Sequence, residues 1–478
     1  MNLRVINLLW LTLVTNWLIS QDLLNLSAWE KDSLFNGGIF SYCIKDVESG
    51  ELLAEYNSGK YLIPASTLKL FTSYAALKIL GPGFRFQTRL GTDGSFNADS
   101  TELNGNLILE GDGDPTFQSK FFYDEDSLIV RQWVLNLKNK GIRKINGKIV
   151  LDMKKFPVTI PENWIWSDLS NAYGAFISPL NYRDNQIRYV FKTSVAGEKS
   201  ELLGIVPESV LPLMNVKNYV ISKGNEDDAY VMGSPFEYRK KIFGKLPVQQ
   251  HPFFLKGSMP EPWYCIYHDL KNELAKNGIV LSDTIPFFQF HDENIKYQIK
   301  QVLVTHFSPT LDKIIKILLT YSHNLYSEAI LIAIGKGNLH TGIERIRKFM
   351  SEKKWDGYRF QMTDGSGLSR NNLVCTELFT TMLQQLASDK KNYSIIYNSL
   401  PVAGKNGTLQ KVGKGTALEN NLRAKTGYIN KVRSFAGYMK TKSGKNIAFS
   451  FIINNFDAPF SVAQKKMTDF MLEMYDKF

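Results

Sequence analysis

An α+β fold, in which the two ends of the chain share one sheet around a long insert, is predicted by three features of the 478-residue sequence. Residues 39–44 and 51–56 are short β-favouring runs separated by the polar turn Asp46-Val-Glu-Ser-Gly50, which is hairpin chemistry. Residues 422–427, 434–439 and 446–453 read as adjacent antiparallel strands with a turn at 441–445, and an amphipathic helix over 461–475 closes the chain. Between those ends the texture changes, because 87–116 and 145–154 are short β-like pieces cut by glycines. Strands at both ends, helices segregated from them and a distinct middle imply an α+β domain with the insert protruding from it.

The remaining elements follow in order. Met1-Asn-Leu-Arg4, a mostly apolar run to Ile19 and then Ser20-Gln21-Asp22 have the layout of a signal peptide cut near Ser20, so residues 1–20 are expected to direct export. Asn7, Thr12, Thr15 and Asn16 interrupt the run, and it is shorter than the roughly 18 residues of a membrane span, which disfavours a retained anchor. Residues 29–86 form the first part of the principal domain. Within it, 67–80 have helical apolar spacing and stop at Gly81-Pro-Gly83, so Ser66 falls in the first turn of a long apolar helix. The insert spans 87–302, with helices over 128–140 and 268–276 and short strand signals over 189–248, as one mixed or β-rich domain or two smaller ones. Residues 303–478 form the second part, opening with helices over 311–320, 326–334, 342–350 and 376–387 that are interrupted by the loop Asp364-Gly-Ser-Gly-Leu-Ser-Arg-Asn371.

Composition narrows the function. A chain that is 44% hydrophobic and 22% charged is ordinarily globular, which excludes disordered and fibrous classes. The net charge of +11 attracts polyanions, but the basic residues are dispersed and no nucleic-acid module is present, so nucleic acid is a poor partner. A wall polymer bearing peptide carboxylates is compatible, as is a merely solvated exterior. Cys43, Cys265 and Cys375 are too few and too scattered for a disulfide framework and read as buried small hydrophobes, with room for a single disulfide. No Cys-x-x-Cys pair occurs and the six histidines form no ligand motif, so neither a metal nor another cofactor is expected.

Three motifs carry chemistry: Ser66-Thr-Leu-Lys69, Ser322-His-Asn324 and Lys425-Thr-Gly427. The first sets a hydroxyl and an amine three positions apart on a helix, where side chains share a face. Serine attacks carbonyls poorly until a base removes its proton, and a lysine secluded beside other cations can serve as that base. Ser-x-x-Lys alone is uninformative, since Ser351-Glu-Lys-Lys354 and Ser388-Asp-Lys-Lys391 repeat it without context. All three motifs in this order, each on suitable local structure, are far more specific.

With Pro64-Ala-Ser-Thr-Leu-Lys-Leu70, Gly111-Asp-Gly-Asp-Pro-Thr116, Trp166-Ser-Asp168, Tyr173-Gly-Ala175, Asp364-Gly-Ser-Gly-Leu-Ser-Arg370 and Pro401-Val-Ala-Gly-Lys-Asn-Gly-Thr-Leu409, nearly the whole mature chain resembles the low-molecular-mass class C penicillin-binding proteins. These are the D-alanyl-D-alanine carboxypeptidases and endopeptidases of the D-Ala-D-Ala carboxypeptidase C family. The resemblance implies a class A β-lactamase/transpeptidase-like serine domain with extra domains inserted between its first and second motifs. Its implied substrates are the stem peptides and crosslinks of peptidoglycan, and its implied covalent inhibitors are β-lactams. The setting is an exported one, the bacterial periplasm, with no integral membrane domain after signal cleavage.

By the same resemblance Ser66 is the acylated nucleophile and Lys69 its base. The backbone N–H groups of Ser66 and Tyr428 form the oxyanion hole, Ser322 passes a proton to the leaving amine, and Lys425 holds Ser322. Asn324 bonds the substrate peptide and Thr426 its terminal carboxylate, while a side chain at Gly427 is expected to obstruct a substrate lying along the sheet edge. Asp168 and Arg370, with Tyr173 nearby, align with the pair that recognises a diamino acid, which implies meso-diaminopimelate; the plainer readings are a turn cap for Asp168 and a surface ion pair for Arg370. Helix capping is the plainer reading of Ser322 and Asn324. His323 stands where the family often has aspartate, and Gly111-Asp-Gly-Asp114 carries extra acid that suits a turn better than an ion site. Two rivals remain: a β-lactamase or esterase on the same scaffold, and a noncatalytic peptidoglycan-binding protein. The intact motifs argue against the second.

Overall fold

A computed structural model describes residues 32–124, 128–291, 293–294, 296–355, 357–358 and 360–478, so the expected signal peptide lies outside the described residues. The chain forms two compact units. Of the described residues, 32–79, 315–323 and 343–478 make the first, and 80–314 with 324–342 make the second.

The first unit is built on a five-stranded antiparallel sheet in the order Leu52–Tyr56, Ile39–Asp46, Asn446–Asn454, Val432–Lys440 and Leu422–Ile429. The two ends of the chain share this sheet, as the sequence predicted, and the first and last strands of the described residues pair directly, from Ile39 against Asn454 to Asp46 against Ile447. Alternation along the first strand sorts its side chains between two helices. Phe40, Tyr42 and Ile44 join the core beneath the C-terminal helix Phe460–Lys477, whose Ala463, Met467, Phe470, Met471 and Met474 are buried. Phe470 centres the contact, with its ring 4.4 Å from that of Phe451 and 5.2 Å from that of Tyr42. Ser41, Cys43 and Lys45 bond instead to the helix Thr376–Ser388, at Thr376 (2.7 Å), Thr380 (3.1 Å) and Thr381 (2.9 Å). Cys43, Cys265 and Cys375 are all buried and form no disulfide among the described residues, and burial pushes the Cys43 and Cys265 thiols up to about 12, which leaves them protonated and inert.

In the second unit a five-stranded mixed sheet runs Phe287–Phe290, Ile149–Met153, Leu107–Gly111, Gln87–Thr92 and Gln301–Phe307, accompanied by smaller sheets. The helices Ile129–Asn139 and Pro262–Lys276 pack on one another and share one apolar core with these strands. The second helix starts six residues before the sequence suggested, because Pro262 occupies a first-turn position where its missing N–H is no loss. The helix Lys390–Ser399 was not foreseen at all; it buries only Asn392, Ile396 and Ser399, too few for a periodic apolar signal. No helix among the described residues is long and apolar enough to cross a membrane.

Because Phe470 fills the interface between sheet and terminal helix, Phe470→Ala should cost about 3–5 kcal/mol of stability. Urea denaturation of the two proteins measures it, and a loss well below 1 kcal/mol would mean that this helix does not close the core.

Candidate active site

Ser66 lies in the 3-10 turn Ala65–Leu68, and the α-helix proper begins at Lys69. The sequence placed Ser66 inside the helix; the turn is tighter because Ala65 adopts a left-handed backbone (φ +47°). Gly367, itself at φ +81°, packs so close that a Cβ there would lie 1.9 Å from the Ala65 carbonyl oxygen. The helix Lys69–Ile79 is buried from Lys69 to Leu77, on all sides, which explains its uniformly apolar character.

Lys69 Nζ donates to Ser66 Oγ at 2.8 Å and to the Ser366 carbonyl at 2.6 Å. The carbonyl belongs to the Asp364–Ser369 loop, which is wound around the buried Asp364 carboxylate. That carboxylate accepts the N–H groups of Gly367 (2.7 Å) and Ser369 (2.6 Å) and the Asn372 amide (2.8 Å), while Thr72 Oγ1 donates to the Gly365 carbonyl (2.7 Å). The sequence marks this segment only as a loop between helices; its main-chain grip on Lys69 was invisible, because a carbonyl has no residue signature.

Ser322 terminates the helix Leu311–Tyr321 in a left-handed conformation (φ +62°), the next N–H, of His323, closing back on the Leu318 carbonyl at 3.1 Å. Ser322 Oγ accepts from Lys425 Nζ at 2.8 Å, and Lys425 also donates to the Thr426 carbonyl at 2.7 Å. Burial holds the Lys425 ammonium well below the usual lysine pKa, and the positive charges of Lys69 and Arg433 depress it further. Two serine–lysine pairs thus meet inside one unit, brought together from three distant parts of the chain.

Lys425 rides on Leu422–Ile429, the edge strand of the sheet. The segment after Leu400 covers its first half, since the Ala403 N–H bonds the Leu422 carbonyl and the Ala424 N–H the Pro401 carbonyl. Residues 422 and 424 therefore point their backbone groups outward, and the strand's alternation puts those of Thr426 and Tyr428 on the same outer edge beyond the cover. The N–H nominated for the oxyanion hole thus faces off the sheet. Thr426 Oγ1 bonds Thr408 Oγ1 at 2.8 Å. Thr408 is exposed on the 3-10 turn Gly407–Leu409, which brings a second hydroxyl to the place where a carboxylate was expected; only its position within the Pro401–Leu409 motif hinted at it.

Gly427 meets a close constraint from the protein itself, which the sequence expectation did not include. A Cβ there would lie 2.1 Å from Ser434 Oγ, 2.6 Å from the Pro64 carbonyl oxygen and 3.1 Å from Ala65 Cβ. The glycine lets the edge strand press directly against the turn carrying Ser66, so its neighbour is the protein itself.

The other nominated residues divide between the units. Arg370, in the first unit, donates from Nη1 to the Asn430 carbonyl at 3.2 Å, beside the turn after the edge strand. Asn324, Tyr173 and Asp168 gather in the second unit. The Asn324 side-chain amide donates to the Tyr173 carbonyl (2.8 Å), and the Tyr173 hydroxyl lies 3.4 Å from Asp168 Oδ1. Asn324 opens the buried helix Asn324–Ile334, and the Tyr326 hydroxyl is bound between Ser119 Oγ (2.7 Å) and Asp184 Oδ1 (3.0 Å). The Ser-x-Asn motif is therefore shared, with Ser322 in one unit and Asn324 in the other. In the Gly111–Asp114 turn, Asp112 accepts the Gln87 N–H and Asp114 the Thr116 N–H and hydroxyl, while burial pushes their carboxyls up to about 7 and about 6.

A serine hydroxyl bonded to a buried lysine, with a second lysine–serine pair beside it, defines an active-serine acyl-transfer enzyme. The sequence profile of the D-Ala-D-Ala carboxypeptidase 3 (S13) family matches residues 24–475, and the chain belongs to that family of serine peptidases. It is 27% identical over 439 residues to the D-alanyl-D-alanine carboxypeptidase DacB of Haemophilus influenzae, covering 88% of this chain and 86% of that one. It is 28% identical over 459 residues to the D-alanyl-D-alanine carboxypeptidase of Actinomadura sp. (strain R39), covering 92% and 82%. The crystal structure of penicillin binding protein 4 (dacB) from Haemophilus influenzae superposes with a TM-score of 0.77 at 26% identity, over 95% of this chain and all of that one.

Lys425 binds its proton less readily in the folded chain than in the unfolded one, so its contribution to folded stability rises with pH, from its lowered pKa up to about 10.4, where an unfolded lysine also deprotonates. The stability difference between wild type and Lys425→Met should therefore move in favour of wild type as pH increases from about 7 to about 10. A difference that stays flat across that range would contradict the charge reading.

Proposed function

We propose that this enzyme is an exported serine D-alanyl-D-alanine carboxypeptidase and endopeptidase that trims peptidoglycan stem peptides and cuts D-Ala–diamino acid crosslinks. The observation that carries the reading is the 2.8 Å bond from Lys69 Nζ to Ser66 Oγ, with Lys425 and Ser322 paired at the same distance.

With Lys69 neutral, the hydroxyl proton of Ser66 moves to its Nζ as Ser66 Oγ attacks the carbonyl of the penultimate D-Ala. The Ser366 carbonyl keeps Nζ oriented throughout. The oxyanion develops against the N–H groups of Ser66 and Tyr428. As the C–N bond breaks, Ser322 gives its hydroxyl proton to the leaving amine and takes up in its place the proton held by Lys69 Nζ, while Lys425 holds Ser322 in line. Water then cleaves the Ser66 ester, releasing the shortened peptide and restoring the hydroxyl. Asn324 bonds the peptide backbone, and Thr426, joined by Thr408, receives the carboxylate of the leaving residue. Both activities break the same type of bond and differ only in whether the leaving amine belongs to a free D-Ala or to the side chain of a crosslinked diamino acid.

Penicillin binding protein 4 of Haemophilus influenzae has been determined complexed with a β-lactam. A β-lactam carbonyl would acylate Ser66 in the same way, and the carboxylate common to penicillins suits Thr426. Asp168, Tyr173 and Arg370 are proposed to read the free amine and carboxylate of meso-diaminopimelate. The first catalytic segment is taken as 29–86, the accessory region as 87–302 and the second catalytic segment as 303–478. The leader-like residues 1–20 support export to the periplasm, peripheral to membrane or wall.

Incubation with monomeric and crosslinked muropeptides, read by mass spectrometry, should show D-Ala release and crosslink cleavage, and Ser66→Ala should lower both by at least about a thousandfold. Rapid β-lactam hydrolysis without D-Ala release would favour a β-lactamase instead. Asp168→Ala should reduce turnover of diaminopimelyl peptides by on the order of tenfold or more while sparing a simple acyl-D-Ala-D-Ala. Equal losses on both substrates would remove the specificity role.

A further inference from the structure

Arg433 has no role in the chemistry above, yet its surroundings are unusual. It sits on Val432–Lys440, directly opposite Tyr428 of the edge strand, and is buried to 4% exposure. No carboxylate forms an ion pair with it among the described residues. Its guanidinium lies 4.0 Å from the ring centre of Phe460, 5.4 Å from that of Tyr428 and 5.7 Å from that of Phe435. It donates to Gln464 Oε1, and its Nε has no hydrogen-bond partner. Burying a cation without an anion is expensive, and aromatic faces recover only part of that cost.

The register says where the charge acts. Tyr428 pairs with Arg433 and Thr426 with Phe435, so all four side chains share one face of the sheet, and Arg433 is the diagonal neighbour of Thr426. Lys425 projects from the opposite face. The charged groups acting on Lys425 are Lys69 and Arg433, and no carboxylate contributes among the described residues. The side chain of Arg433 thus lies on the face that carries Thr426, whose hydroxyl is joined to that of Thr408.

We propose that Arg433 is a positioning and specificity residue, whose uncompensated charge draws the free carboxylate of the leaving residue to Thr426 and Thr408 while its stacking on Tyr428 fixes the edge strand there. The inference rests on the peptidase reading and deepens it: the substrate class is a peptide whose scissile bond is followed by a residue with a free carboxylate. Arg433 acts at one remove, because the rings of Tyr428 and Phe460 cover the guanidinium.

The test compares wild type, Arg433→Gln and Arg433→Lys on acyl-D-Ala-D-Ala and on the same peptide as its C-terminal amide. Arg433→Gln should raise KM for the free acid on the order of tenfold and leave the amide nearly unchanged, and Arg433→Lys should recover most of the loss. The same contrast should appear in calorimetric binding of both peptides to Ser66→Ala proteins with and without Arg433→Gln, which needs no turnover. Equal losses on acid and amide, with a lowered Tm, would reduce Arg433 to a clasp for the terminal helix and overturn the proposal. If the binding contrast appears but wild type releases no D-alanine, the carboxylate site stands and the peptidase reading falls.

Discussion

Two buried lysines, each bonded to a serine hydroxyl, are the constraint to which the rest of the first unit answers. Ammonium groups taken out of water must be hydrogen-bonded or lose their protons. Hydroxyls and main-chain carbonyls are among the partners that orient the two amines. The Asp364 loop illustrates the consequence: its carboxylate accepts its own loop's N–H groups and the Asn372 amide, and the loop so shaped offers Lys69 a main-chain carbonyl.

Much of the fold was legible because the sheet's signals are local. The β-favouring run at 39–44, the turn at 46–50 and the three closing strands each announce themselves within ten residues, and strands at both ends pointed to one shared sheet. The insert was harder to read. Its core is assembled from strands of two to seven residues in several sheets, where period-2 alternation is too short to count. The helix Lys390–Ser399 escaped because so little of it is buried.

The site was legible wherever function resides in side chains at fixed spacing, as with Ser66 and Lys69 or Lys425 and Thr426. It was opaque wherever function resides in backbone or in packing. The Ser366 carbonyl is specified by a loop's shape. Gly427 was noticed for the absence of a side chain, but the close approach of Ser434 Oγ and the Pro64 carbonyl was not foreseen. Arg433 lies outside every motif, and only the strand register connects it to Tyr428 and Thr426.

The division of Ser322-His-Asn324 between two compact units bears on how the protein can be taken apart. Asn324 begins a helix whose Tyr326 is moored to Ser119 and Asp184, and its own amide is tied to Tyr173, all from the segment between the first two motifs. Excising that segment to obtain a minimal catalytic core would strip a motif residue of its supports. The segment between the first two motifs thus holds Asn324 in place through these bonds.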